Sequence, residues 1–169
     1  MYHAFVTSHP LYEVTDEDLR VLILAWYRRV RLANQAHAEA GSHARRNSML
    51  LGIPAVTLSA VVGSAIFATI DKTPNRYLQI AVGLLSLTTA VLAAFQTFLR
   101  LDEQVREHEV ASRSFGAIRR ELGQLGAIAH HNREETESRL EKVRERYDQA
   151  SAASRNVPQK IWDRLVLQP

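Results

Sequence analysis

Two stretches of this chain carry no ionisable side chain: Met49 to Ile70, which reads MLLGIPAVTLSAVVGSAIFATI, and Leu78 to Leu99, which reads LQIAVGLLSLTTAVLAAFQTFL. As an α-helix each would rise roughly 33 Å at about 1.5 Å per residue, enough to cross a hydrocarbon core of about 30 Å. Inside a bilayer the backbone must satisfy its own hydrogen bonds, so the two blocks are expected as transmembrane helices. The alternative is a pair of buried helices in a soluble bundle, which rarely need such length with apolar residues on every side.

The connection between the blocks runs from Asp71 to Tyr77 through Thr73-Pro74-Asn75, which is turn chemistry and leaves no room for another element. Two spans joined so tightly must run antiparallel. Arg31, Arg45 and Arg46 precede the first block and Arg100, Arg106 and Arg113 follow the second, whereas the connection holds only Lys72 and Arg76. That bias places both termini in the cytoplasm and the loop outside. The expected fold class is therefore an all-α membrane protein, a two-helix transmembrane hairpin with long cytoplasmic helical extensions at both ends. Its parts are an N-terminal arm (1–14), a cytoplasmic amphipathic helix (15–48), the spans (49–70 and 78–99) around the loop (71–77), a cytoplasmic helical region (100–155) and a short amphipathic segment (156–169).

Whole-chain averages conceal this division. A mean hydropathy of −0.18 is that of an ordinary soluble protein, because Arg- and Glu-rich segments offset the two blocks. The net charge of +3 comes from arginines beside the apolar blocks. Such a placement suits anionic headgroups, with Arg45, Arg46 and Arg100 as contacts, and no specific nucleic-acid binding is expected. With no cysteine, disulfides, thiolate metal sites and a Cys nucleophile are all excluded. Residues 1–13 lack the basic and apolar regions of a secretory signal.

Outside the blocks the periodicity is helical. Thr15-Asp16-Glu17-Asp18 resembles a capping box, with Thr15 as N-cap. Leu19, Ile23, Trp26, Val30, Ala33, His37, Ala40 and Ala44 then recur at spacings of four and three, and Gly41-Ser42 permits a bend. Beyond the second block, Leu101, Val105, His108, Ser112, Phe115, Ile118, Leu122, Leu125 and Ala129 keep a similar period, as do Thr136, Leu140, Val143, Tyr147 and Ala150. Leu19, Ile23, Trp26, Val30, His37, Phe115, Ile118 and Leu122 are therefore expected at an interface, either between helices of one chain or between copies, and to dominate assembly. Ile161, Trp162, Leu165 and Leu167 mark the last segment as a packed terminal helix, or one that docks on a partner or membrane surface.

Catalytic patterns are missing: no phosphate loop, dinucleotide fingerprint, nucleophile elbow or zincin motif occurs, so no enzyme, cofactor or metal is expected. His130-His131 beside Glu134 and Glu135 is the best local metal cluster, but adjacent residues point about 100° apart on a helix. His37 and His43, six apart, do not share a face. Within the second block Gln79, Gly83, Ser86, Ala90, Ala93 and Thr97 fall on one narrow face, with Thr89 and Gln96 alongside. The first block has small residues four apart at Ser59/Gly63 and Ala60/Ser64/Ala68, which allow close helix approach. These faces either pack helices together or line water. Pro54, next to Gly52, removes the amide owed to the Leu50 carbonyl and marks a hinge or a fixed kink.

The residues from Leu51 to Val56, Ser59 to Gly63, Ala65 to Ala68, Gly83 to Ser86 and Leu92 to Leu99, followed by His108, resemble the SLATT family, the SMODS and SLOG-associating two-transmembrane effector domains. The resemblance covers roughly Trp26 to Leu125. It implies a homo-oligomeric protein of the bacterial inner membrane that compromises that membrane when infection is sensed, killing or arresting the cell. No sensing module is recognisable in the chain, so a trigger protein or nucleotide signal would act in trans. The expected function is a pore-forming or membrane-disrupting effector. The alternatives are a membrane-anchored helical scaffold, a constitutive small channel, or direct phosphate-ligand sensing around Arg28, Arg29, Arg31, Arg45 and Arg46.

Overall fold

The computed structural model describes residues 15–69, 76–128 and 133–167. Every element among them is an α-helix: α1 (Asp16–Thr69), α2 (Arg76–Leu99), α3 (Leu101–Ile128), α4 (Arg133–Ala153) and α5 (Gln159–Leu167). The arm 1–14, most of the loop 71–77, Ala129 and the His130-His131 pair lie outside the described residues. Two compact units form. One draws on the chain up to Ala36 and on Ala111–Ser154, and the other on His37–Val110 and on the chain from Arg155.

Helix α1 begins where its cap predicts. The Asp18 amide donates to Thr15 Oγ1 at 3.2 Å, and the Thr15 amide donates back to Asp18 Oδ2 at 2.8 Å, with the Thr15 hydroxyl donating to the same oxygen. This is a capping box with aspartate in the glutamate position. The Thr15 amide, and then its hydroxyl, hold the Asp18 carboxyl below its usual value.

The expected parts 15–48 and 49–70 belong to one continuous helix as far as Thr69. One unbroken helix of 54 residues, about 80 Å long, passes through Gly41, Ser42, Gly52 and Pro54. A change in hydropathy is a change of preferred solvent, and it carries no signal that ends a helix. Ser42 donates its hydroxyl to the Ala38 carbonyl at 3.0 Å and so does not compete for other backbone groups. A Cβ at Gly41 would sit 3.4 Å from His108 Cβ, at the near limit of ordinary van der Waals contact.

A break that the sequence does not announce comes at Arg100, which adopts a φ of 44° between α2 and α3. An L-residue pays about 1 kcal/mol or more for that left-handed state. The Gln104 side chain donates to the Leu99 carbonyl at 2.8 Å, satisfying an acceptor that the end of α2 leaves open. The expected region 100–155 is thus α3 and α4, and the last segment is α5.

In the first unit, α1, α3 and α4 bury their seams against one another. Leu19, Ile23, Val30, Phe115, Ile118, Leu122, Leu125, Leu140 and Val143 are all buried. Trp26 is half-buried, with its ring 6.1 Å from that of Tyr147, which in turn lies 5.8 Å from Phe115. Asn34 Nδ2 donates to the Ser112 carbonyl at 2.6 Å, and the Ser112 hydroxyl donates to the Asn34 carbonyl at 3.3 Å. The second unit has its own ties. Arg45 pairs with Glu109, Ser48 donates to Asp102 at 2.7 Å, and Arg155 pairs with Glu107 at 2.9 Å. Helix α5 is a packed terminal helix, with Ile161 buried and Arg164 paired to Glu39.

Leu19, Ile23, Val30, Phe115, Ile118 and Leu122 are covered by helices of the same chain, the first of the two interfaces expected for them.

Candidate functional site

Two helices are long and apolar enough to cross a membrane, and their surroundings distinguish them from core helices. The most apolar window of the first is 6% buried and that of the second 0%. Val56 is 72% exposed, Leu84 61% and Phe98 84%. A soluble protein rarely leaves so much contiguous apolar surface in water.

Geometry separates two faces of α2. Its half-buried positions, Val82, Leu85, Thr89, Leu92 and Gln96, follow spacings of three and four. They lie roughly 100° around the helix from the small and polar face. Gln79, Gly83, Ser86, Ala90, Ala93 and Thr97 on that second face are all exposed. On α1, Ser59, Ala60 and Ser64 are exposed as well, Gly63 is half-exposed, and the side chain of Ala68 lies outside the described residues. A methyl added at Gly63 or Gly83 would meet nothing within 4 Å. The small residues therefore do not pack the two helices of one chain together.

Gly52 does have a partner. A Cβ at this position would sit 2.8 Å from Gln96 Nε2, so the missing side chain makes a notch for the amide. Gln96 thus belongs to the contact between α1 and α2 and is drawn away from the small face. Pro54 lies within the helix and interrupts nothing beyond its own missing hydrogen bond.

The hydroxyls of both helices are spent locally. Thr57, Ser59 and Ser64 on α1 and Ser86, Thr88, Thr89 and Thr97 on α2 each donate to the carbonyl four residues earlier, at 2.8 to 3.1 Å. A hydroxyl used this way exposes no unsatisfied donor to lipid.

A feature missed from sequence lies in the second unit. His37 and His108, each 4% exposed, face one another with their Nδ1 atoms 3.1 Å apart. One ring donates its N–H and the other must accept, which requires at least one neutral imidazole. Burial is the main cause that pushes His37 down to about 4, with the neighbouring His108 adding to it. Burial also lowers His108, helped by the Arg155 guanidinium and opposed by Glu107. Both residues stand on seam positions of helices expected to pack, and that shared register was the available signal. No group of three metal-ligating side chains occurs among the described residues, and two imidazoles fall short of a structural zinc set.

Of the expected headgroup contacts, Arg45 is engaged by Glu109 and Arg100 pairs with Glu103 at 3.2 Å, while Arg46 has no ion-pair partner among the described residues. In comparisons with known proteins, no family model, no curated protein and no solved structure matches the chain.

Proposed function

We propose that this chain is a two-span membrane protein of SLATT type, with both termini cytoplasmic in a bacterial inner membrane, whose copies associate through α2. On this reading it is an oligomeric pore-forming or membrane-disrupting effector of prokaryotic anti-phage defence. A sensing or nucleotide-signalling partner activates it in trans, and the outcome is death or arrest of the host cell. The observation that carries the reading is the small and polar face of α2 at Gly83, Ser86, Ala90, Ala93 and Thr97, which no described residue covers. Helix pairs in lipid gain little from hydrophobicity and associate where small residues let backbones approach. Two spans are too few to enclose a conduit alone. With the seams of α1, α3 and α4 consumed inside one chain, association between copies falls to the apolar helices.

A second reading is a membrane-anchored scaffold, and the self-satisfied hydroxyls favour it because spans of this kind need no water. Ser86→Leu separates the two. Cells producing the protein together with its trigger should depolarise and take up dye, and Ser86→Leu should abolish both. Toxicity that persists in Ser86→Leu without depolarisation would favour the scaffold.

A further inference from the structure

One face of α1 combines two chemistries in an order that fits a single kind of ligand. Arg45 and Arg46 stand at one end, and Met49, Leu50, Ile53 and Pro54 follow on the same groove. Met49 is 54% exposed, Leu50 62% and Ile53 65%, so the described residues leave the apolar end open. Glu109 holds the Arg45 guanidinium and offsets its charge. Arg46, without an ion partner among the described residues, carries the charge that remains uncompensated.

Pro54 sets the depth of this face. It has no amide hydrogen, so the Leu50 carbonyl receives no donor from the fourth residue onward. Such an acceptor costs least where water still reaches, at the edge of the hydrocarbon. Arg46 lies about 6 Å along the axis from Leu50, on the side away from the apolar stretch. That offset matches an amphiphile whose charged group precedes its acyl ester and whose chain then runs along Leu50 and Ile53.

Resting on the two-span reading, we infer that this face of α1 is a binding site for one anionic phospholipid, with the phosphate on Arg46 and Arg45 and an acyl chain along Met49, Leu50 and Ile53. Phosphatidylglycerol bears the required net charge and phosphatidylcholine does not. Arg46 supplies most of the discrimination because Arg45 is shared with Glu109.

The test begins with carbonate washing of membranes that contain the full chain. Release by carbonate would overturn the two-span reading and, with it, this inference. Retention isolates the inference for the second step, in which the purified chain in detergent is titrated with phosphatidylglycerol or phosphatidylcholine of identical acyl chains and bound lipid is counted by native mass spectrometry. Phosphatidylglycerol should be retained about fivefold or more over phosphatidylcholine, the scale of one basic side chain at a lipid surface. Arg46→Gln should erase that preference, Arg45→Gln should reduce it less, and Arg31→Gln should leave it intact. Equal retention of both lipids by the wild type, or a preference that survives Arg46→Gln, would overturn the inference. So would displacement of the lipid by millimolar inorganic phosphate, which would identify a site for soluble anions.

Discussion

Leu122 in the first unit and Leu84 in α2 are the same residue in the same secondary structure, yet one is 0% exposed and the other 61%. Around Leu122 the helices present one apolar stripe each, with Arg and Glu filling the other sides, and the stripes close on each other. Around Leu84 the apolar residues run all the way round, and no arrangement of two helices could cover them. Each region is consistent with a different solvent. In the first, apolar surface leaves water on folding and stabilises the fold by roughly 25 cal/mol per Å². In the second, the same side chains have no water to escape if lipid surrounds them.

The sharpest way to break this contrast is to truncate both leucines. Leu122→Ala should cost about 2 to 5 kcal/mol, as a cavity in a closed core does, while Leu84→Ala should change stability by less than about 0.5 kcal/mol, like a surface substitution. Chemical unfolding in detergent, followed by helical circular dichroism, reads both. Equal losses would show that α2 is covered by protein and that the two regions share one solvent.

The histidine pair tests the aqueous side by pH. His37 sits at about 4 in the folded chain against about 6.5 when unfolded, so the unfolded state takes up its proton first. The sign follows: stability is full above about pH 6.5 and falls as pH drops toward 4, by up to about 3 kcal/mol for this residue alone. His37→Gln should flatten that part of the profile in thermal unfolding between pH 7.5 and 4.5. A wild-type profile already flat would mean that water reaches both rings.

Gly52 probes the apolar side with the smallest effect. If it is a notch for Gln96, Gly52→Ala gains less in the wild type, where the amide must swing aside, than in a Gln96→Ala background, where helix propensity contributes about 0.5 to 1 kcal/mol. Their coupling energy, read by the same unfolding assay, should be about 0.5 kcal/mol or more. Additive effects would return Gly52 to the role of a hinge.

Much of this architecture was legible from periodicity. The seams from Leu19 to Ala44 and from Leu101 to Leu125 repeat every three or four residues, and the residues on them are the buried or half-buried ones. Thr15 and Asp18 signalled the start of α1 through side-chain chemistry alone. What escaped is of two kinds. The left-handed turn at Arg100 has neither glycine nor asparagine to advertise it. The His37–His108 contact joins residues far apart in sequence, and local spacing between histidines carries no information about it. The helical wheel of α2 grouped the small residues correctly, but it could not show that the face turned toward α1 lies a quarter-turn away.

The hydroxyls of Ser86 and Thr97 have a consequence for any solute that meets them. Each has already given its hydrogen to its own helix, so what it turns outward is lone-pair density. Between Gly83 and Thr97 that side of α2 offers acceptors without donors, while Gln79 and Arg76 stand at its N-terminal end. A conduit walled by it would solvate potassium or sodium in the manner of ether oxygens and would offer chloride no hydrogen to bind. In such a conduit the charge discrimination along Ser86 and Thr97 would follow from a rotamer preference, with Arg76 the one cation at the N-terminal end of that wall among the described residues.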